Sequence, residues 1–570
     1  MKMQQIKEKL KDFFSPPSDS PRWALILPYA VLGILTILVV VGGAYGWNYT
    51  NSPGFCADGC HTMPPQGVTY EQSPHANVYC TECHIGRAFV GTQLSRKTQD
   101  VREIIAMVTA SYEYPLRATR LFPSRETCEQ CHLPEKFSDD SLRTITHFAN
   151  NRQNTETKTY LIMKTGGGNE REGLGLGIHW HVANKIEYYS SDGMMQQEIP
   201  FIRVHNADGT TTEYVDIESG FEPASVEEAE LHQMDCIACH NRIAHDFNSP
   251  EDAMDDYMSR GLISADIPDI HMNGAMILRG GYETREEGLE MIAELEDRYK
   301  QEYSDFYSEN SELIQEAVVS LQHIYSTIVF QEQEVDWTTY PNNIGHMDAP
   351  GCFRCHDGKH LNEEQEAIRL ECNICHSIPV VVGKDDFVTN LEISHGLEPE
   401  SHLNPSWINL HNQVFDQTCS NCHTVEDPGG TSNTSFCSNS ACHGNVYIYA
   451  GFDAPSLREL LVDQLPGPDL NAPAMVAPLA EGELPTYQAH IAPILSSCAQ
   501  CHGEALASAG LNLSSYAGLM AGGENGEVIQ AGDSAGSLLI EVQSQQHFVT
   551  MPLEYLEIFK AWIDAGALDN

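Results

Sequence analysis

Two short phrases recur within residues 56–84: Cys56-Ala-Asp-Gly-Cys60-His61 and Cys80-Thr-Glu-Cys83-His84. Each sets two thiols a few residues apart and follows the second with an imidazole. The phrase returns with a two-residue spacer at Cys128/Cys131/His132, Cys236/Cys239/His240, Cys352/Cys355/His356, Cys372/Cys375/His376, Cys419/Cys422/His423 and Cys498/Cys501/His502. A four-residue spacer gives one more, Cys437/Cys442/His443. These nine pairs use all 18 cysteines. Two thiols at this spacing form thioethers with the two vinyl groups of one haem, and the adjacent histidine reaches the iron. Zinc is the competing reading of such pairs, but zinc does not require a histidine after every second cysteine. Thioredoxin-like redox pairs fail for the same reason. Histidine is 25 of 570 residues, so nine coincidences are not chance. The two expanded spacers are included because a longer loop can bulge without separating the sulfurs. Nine covalently bound haems c are therefore expected.

A low-spin electron carrier needs a second axial ligand on each iron, usually His or Met. The candidates near attachment sites are His75, His147, His179, His181, His232, His245, His323, His346, His360, His395, His402 and His411. The alternative for each is an ordinary hydrogen-bonded histidine. His346, His360, His245, His411 and His75 stand closest to a site. In Gly-Ile-His179-Trp-His181 the two histidines share a face if the segment is extended, and one of them is expected to bind iron. Met63 sits two residues past His61, too close for ordinary opposite-face ligation. Met551-Pro552 follows His502 at a distance that lets the chain wrap one haem and return a thioether.

Between Arg22 and Asp58 lie 35 residues without a charge, and Trp23 to Trp47 is almost wholly apolar. At about 1.5 Å per residue this stretch crosses a hydrocarbon core of about 30 Å. Trp23 and Trp47 stand where interfacial aromatics belong. Lys2, Lys7, Lys9, Lys11 and Arg22 precede it against Glu8, Asp12 and Asp19, which puts residues 1–22 in the cytoplasm and the rest outside. A cleaved signal peptide would have a shorter apolar region and a small-x-small site, so an uncleaved anchor is expected. Haem attachment outside the cytoplasm agrees with this topology. The whole chain is acidic, 32 Lys plus Arg against 80 Asp plus Glu, a formal net charge of −48. So negative a chain repels phosphate backbones, which excludes nucleic acid and favours basic protein partners.

The expected fold is a mostly α and irregular multihaem cytochrome c with one N-terminal transmembrane helix at 23–47. Residues 48–135 carry three sites and a helix from Val90 to Tyr112. Residues 136–400 carry three more, with insertions. Ile186 to Val215, with Asp192-Gly193 and Asp208-Gly209 turns, predicts a β-hairpin or small sheet. Residues 250–335 predict helices, one opened by a capping box at Thr284-Arg-Glu-Glu287 and another spanning Ser311 to Phe330, whose His323 belongs to a core-type face. Residues 401–465 hold two sites. Pro466 to Pro485 is a proline-rich linker. Residues 486–570 form a separate α-helical domain with one site, nine acidic residues and one basic, ending in an amphipathic helix from Leu553 to Ala565.

Phe55-Cys56…Cys60-His61-Thr-Met63-Pro-Pro, Tyr70-Glu-Gln-Ser73-Pro-His75 and Cys80-Thr-Glu-Cys83-His84-Ile-Gly resemble the membrane-anchored NapC/NirT cytochromes, relatives of NrfH. The resemblance covers residues 20–135, and the chain from His147 to His376 looks like longer members. It implies that the haem at His61 lies at the membrane surface, is bound unusually by Met63 and takes electrons from quinol, menaquinol in kind. It also implies a basic and an acidic residue beside the quinol, Arg96 or Lys97 with Asp100 or Glu103, all of which could instead be surface ions. The three-residue spacer at Cys56/Cys60 departs from the shorter form of small members. The last 85 residues resemble class I cytochromes c, through Ile494-Leu-Ser-Ser-Cys498-Ala-Gln-Cys-His-Gly503, Met551-Pro552 and Ala561-Trp-Ile-Asp-Ala-Gly566, which implies His502/Met551 ligation. The expected function is electron relay from quinol, through mostly bis-histidine haems, to a His/Met exit haem on a tethered domain that docks a basic acceptor. A terminal reductase of nitrite, sulfur species or metal ions is the alternative, and a wiring subunit of a larger respiratory complex a third.

Overall fold

The computed structural model describes residues 7, 11, 13–17, 20–118, 122–133, 140–166, 177–227, 230–370, 373–386, 423, 426–427, 429–443, 447–451, 479, 484–499, 502–503, 508–523, 525–545, 551 and 553–570. Helix α1, Arg22–Thr50, is the apolar span, with Pro28 in its second turn. Its length and hydropathy suffice to cross a bilayer. It is followed by α2, Pro64–Gln72, opened by two prolines, and by α3, Val90–Thr109. Then come β1 (Ser141–Phe148), β2 (Glu156–Met163), the single turn α4 (Trp180–Ala183), β3 (Ile186–Tyr189), β4 (Phe201–His205), β5 (Thr211–Asp216) and β6 (His232–Gln233). Helices α5 (Pro250–Ser259), α6 (Ile270–Leu278), α7 (Arg285–Ala293), α8 (Leu295–Glu302) and α9 (Ser304–Ile328) follow, and then β7 (His360–Leu361) and β8 (Val380–Gly383). The last elements are α10 (Ala492–Cys498), α11 (Tyr516–Ala521), α12 (Leu538–Gln545) and α13 (Leu553–Asp564).

The chain forms two compact units, and each is assembled from separated stretches. The first comprises residues 1–132, 242–254 and 273–340. The three early sites thus share a unit with the helical insertion, although 136–400 reads as one region in the sequence. Within it α7 starts as the sequence predicts: the Thr284 hydroxyl accepts the Glu287 amide at 3.2 Å, and the Glu287 carboxylate accepts the Glu283 amide at 2.8 Å. Helix α9 kinks at Asn310, and the leg beyond it matches the predicted start at Ser311. Ile314, Ala317, Leu321, Ile324 and Ile328 bury one stripe of that leg. His323 lies on its exposed side, not in the core. Gly288 allows α7 to approach closely, since a Cβ there would collide with the Tyr325 ring.

The second unit comprises residues 133–241, 255–272 and 341–570. Its β structure exceeds the expected hairpin or small sheet, with two sheets. One antiparallel sheet has the order β1-β2-β8, with Ser141 opposite Met163 and Thr157 opposite Gly383. The other has the order β6-β3-β4-β5-β7 around a core of Ile186, Tyr188, Ile199 and Ile202. The outer strands explain the difference. β6 lies just before Cys236 and β7 just after His356, so two-residue strands beside haem-attachment turns dock onto the hairpin and bring those turns to one sheet. From Tyr487 to Ala567 the chain has its own core, in which Ile491, Phe559, Trp562 and Ile563 are fully buried. Helix α13 matches the expected amphipathic C-terminal helix.

Candidate haem sites

The attachment phrases fold as tight turns. The histidine amide bonds back to the carbonyl of the first cysteine at His132, His240, His356 and His502, at 2.8 to 3.0 Å. This closes one helical turn and sets both thiols and the imidazole on one side. At Cys236–Cys239 the turn is capped by Asp235, whose side chain accepts the Ile237 amide. In the four-residue spacer Cys437 occupies a separate turn, and Asn439 replaces the cysteine carbonyl as acceptor for the His443 amide. Neighbouring sites lie close within each unit: the side chain of Cys56 approaches that of Cys80, and the side chain of Cys352 that of Cys375. Cys372, Cys419, Cys422 and Cys501 lie outside the described residues.

Five of the following histidines face a second histidine from far along the chain. Ring centroids are 6.0 Å apart for His75 and His132, 6.3 Å for His84 and His245, and 6.5 Å for His179 and His240. They are 5.7 Å apart for His181 and His356 and 6.4 Å for His346 and His376. A metal about 2 Å from each of two imidazole nitrogens separates the ring centroids by about 6 Å. The donor chemistry agrees. Nδ1 of His179, His181, His245, His356 and His376 each meets a backbone carbonyl, of Thr165, Ile178, Gln66, Arg369 and Ser377 respectively. A carbonyl can only accept, so the proton sits on Nδ1 and Nε2 carries the lone pair that a metal would take. Burial, with His181 beside it, pushes His356 down to about 4, and burial beside His84 does the same to His245. Burial also lowers His181, His346 and His376. These shifts favour the neutral imidazole that a metal ligand requires. The buried Nδ1 of His75 has no hydrogen-bond partner among the described residues.

Cys83 and Cys131 are exposed, whereas the other described cysteines are partly buried. Cys131 ends the short turn Cys128–Gln130, its amide bonded to the Cys128 carbonyl at 3.1 Å. Its assignment rests on the pairing with Cys128 and on His132 meeting His75.

Gly177 to His181 does not meet the condition of an extended segment: His179 caps a helical turn, and His179 and His181 meet attachment histidines at two different sites, where one of them was expected to bind iron. His360, close to His356 in sequence, uses both nitrogens elsewhere: Nδ1 meets Asp357 at 2.8 Å and Nε2 the Ile199 carbonyl at 2.6 Å. It is a buried structural histidine. Asp216, Asp357 and His360 approach one another as metal ligands could, but the Lys359 ammonium lies 3.0 Å from Asp216 and 3.5 Å from Asp357 and neutralises them. His147, half exposed on β1, meets Asp255 at 3.0 Å. His232 lies against the Tyr188 ring. His395, His402 and His411 lie outside the described residues.

Around His61 the structure places Tyr112, with ring centroids 6.2 Å apart, a neighbour that no spacing signalled. Met63 caps α2 from a half-buried position. Of the charged candidates on α3, Arg96 is spent on structure: it donates to the Ile85 carbonyl, pairs with Glu126 and covers the Phe122 ring at 4.0 Å. Lys97 donates to the Thr50 carbonyl at 2.9 Å, at the negative end of α1, and lies 5.9 Å from the Trp47 ring centre. The charge of Glu103 adds to burial in raising the Cys60 thiol, so this carboxylate lies near the first site. The side chain of Asp100 lies outside the described residues. In the C-terminal core Cys498 and Met551 pack against the same cluster, and the Met551 amide donates to the Gln543 side chain at 2.6 Å. Pro552 lies outside the described residues.

Comparison with known proteins agrees with this arrangement at both ends of the chain. The N-terminal region of the NapC/NirT cytochrome c family matches residues 19–120, and the planctomycete cytochrome C family matches residues 498–553. The cytochrome c-type protein ImcH of Geobacter sulfurreducens is 34% identical over 420 residues, which span 72% of this chain and 80% of that protein. The cytochrome c nitrite reductase subunit NrfH of Nitratidesulfovibrio vulgaris is 43% identical over 63 residues, 11% of this chain and 37% of that subunit. No solved structure matches. With an apolar N-terminal helix and haem-attachment turns folded around paired histidines, the chain belongs to the membrane multihaem cytochromes c of the NapC/NirT type, as a relative of ImcH.

Proposed function

We propose that the protein is a nonahaem quinol-linked electron carrier, anchored by α1 with its haem-bearing parts outside the cytoplasm. It would take electrons from quinol, menaquinol in kind, beside His61 and deliver them to an extracytoplasmic acceptor. When bound, the haems supply one-electron transfer along a series of closely spaced centres.

The chain's own residues do the rest. The cysteine pairs hold nine macrocycles, with His61, His84, His132, His240, His356, His376, His423, His443 and His502 as proximal ligands. His245, His75, His179, His181 and His346 would supply the second histidine to the haems of His84, His132, His240, His356 and His376. Backbone carbonyls at Nδ1 of His179, His181, His245, His356 and His376 orient those imidazoles and raise their basicity. Met63 is the ligand offered near His61, and Met551 the one opposite His502; a thioether raises the potential at that end. At the membrane end, Lys97 and Glu103 flank the first site from α3. A carboxylate there can receive a proton from a quinol hydroxyl, and the ammonium can hold the quinol oxygen.

The observation that carries this reading is the approach of five remote histidines to five attachment histidines at the spacing an iron requires. Pyridine haemochrome analysis of the full chain should return nine haems. Electron paramagnetic resonance should show that low-spin centres dominate, and a menaquinol analogue should reduce the chain in nanodiscs without a partner. Clearly fewer than nine haems, or no reduction unless a second subunit is added, would overturn it.

A further inference from the structure

Helix α3 has an apolar stripe that its own unit leaves uncovered. Val90, Leu94, Val101, Ile105 and Val108 are each more than half exposed. At 100° per residue they fall within an arc of about 60°, running along nearly the whole helix. Phe89, just before the helix, is 82% exposed and extends the stripe. A soluble helix would turn such a face inward.

Two further observations say what covers it. Lys97 lies at the margin of the stripe by the same angular count, and its ammonium reaches the Thr50 carbonyl and the Trp47 ring. Both belong to the outer end of the membrane-spanning helix. The stripe is therefore continuous with the surface that α1 presents to lipid, at the depth where an interfacial tryptophan sits. The charge balance around it is also exceptional. Residues 86–125 carry seven Lys and Arg against three Asp and Glu, in a chain of formal net charge −48. An amphipathic helix with a narrow apolar face and a basic surround lies in the headgroup region of an anionic bilayer.

We propose that α3 is an interfacial helix, embedded along its apolar stripe in the outer leaflet and favoured by anionic headgroups. The protein then has a second membrane contact besides α1. The pair fixes the depth and tilt of the first haem site, which α1 alone would leave free to rotate about its axis.

The test uses the full chain in nanodiscs of phosphatidylcholine and phosphatidylglycerol containing a diazirine-bearing phosphatidylglycerol, followed by irradiation and peptide mass spectrometry. Adducts should appear on α1 and on Leu94, Val101, Ile105 and Val108, several-fold above Thr92 on the opposite face. They should fall several-fold in Val101→Asp/Ile105→Asp while the haem absorption is retained. A diazirine-bearing phosphatidylcholine at the same density should label α3 less. Labels confined to α1 in the unaltered chain would overturn the proposal, as would adducts joining α3 to a second copy or another protein. Equal labelling by both probes would overturn the preference for anionic headgroups.

Discussion

At Gly351 the backbone conformation and its neighbour together admit no side chain. Its φ is +52°, and a Cβ would collide with the Gly345 carbonyl oxygen. Gly345 precedes His346 and Gly351 precedes Cys352, so this contact clamps a proposed distal ligand of one site against the attachment turn of the next. Gly351→Ala should cost about 2–5 kcal/mol, read from chemical denaturation, with haem lost from the sites at His356 and His376. Histidines near one another in sequence separate more sharply. His346→Ala should keep the thioether-bound haem content of the unaltered chain but convert one low-spin signal to high-spin in paramagnetic resonance. His360→Ala should leave that spectrum unchanged and cost about 1–3 kcal/mol, because Asp357 and the Ile199 carbonyl lose a buried partner. The proximal histidines are legible in the sequence because their chemistry is local. Their partners are not, since His181 lies 175 residues from His356. Nearness to an attachment site was a poor guide at His360. Asp357, three residues before it, was the better signal, because it can hold the imidazole by a hydrogen bond.

Among the elements, those with strong local signals were readable. The spanning helix, α3, the start of α7 and α13 follow from apolar period and caps. Thr284→Ala should cost about 1 kcal/mol by removing the acceptor for the Glu287 amide, measurable as a lowered denaturation midpoint. The sheet β1-β2-β8 was not readable. β1 leaves Leu142 and Ile145 exposed, so alternation fails, and β8 arrives from a distant segment just after a haem site. Two-residue strands such as β6 and β7 have no sequence signature of their own; the hairpin they join supplies the template. That hairpin also carries a pH-sensitive contact. Burial works against the charge of Glu187, but hydrogen bonds from Lys185 and His205 more than offset it and hold the carboxyl below its usual range. A depressed carboxyl stabilises the fold fully above the unfolded pKa of about 4.3, and the contribution is lost as pH falls through the lower, folded value. Glu187→Gln should remove it. Because Lys185 is half exposed, the loss at pH 7 should be about 1 kcal/mol or less. It should shrink in denaturation midpoints as pH falls below the unfolded value.

At the scale of the molecule, charge is distributed unevenly along the sequence. The segment around α3 is basic in an otherwise acidic chain, whereas residues 486–570 carry nine acidic residues and one basic. That final stretch has its own core, from Tyr487 to Ala567, built among the described residues from that stretch alone. A unit with a closed core and one attachment site can be removed without opening the others. Deletion of residues 484–570 should leave eight haems per chain by pyridine haemochrome and unchanged reduction by a menaquinol analogue. Delivery to a basic cytochrome acceptor should fall about tenfold or more, in line with the loss of electrostatic steering. In the intact chain the same delivery rate should fall steeply between low and physiological salt, since acidic surfaces more than a Debye length from the partner's charges are screened, about 8 Å at 0.15 M. If the truncated chain delivers electrons as fast as the intact one, the acidic domain is not the exit. The acceptor must then dock on one of the histidine-ligated sites upstream of it.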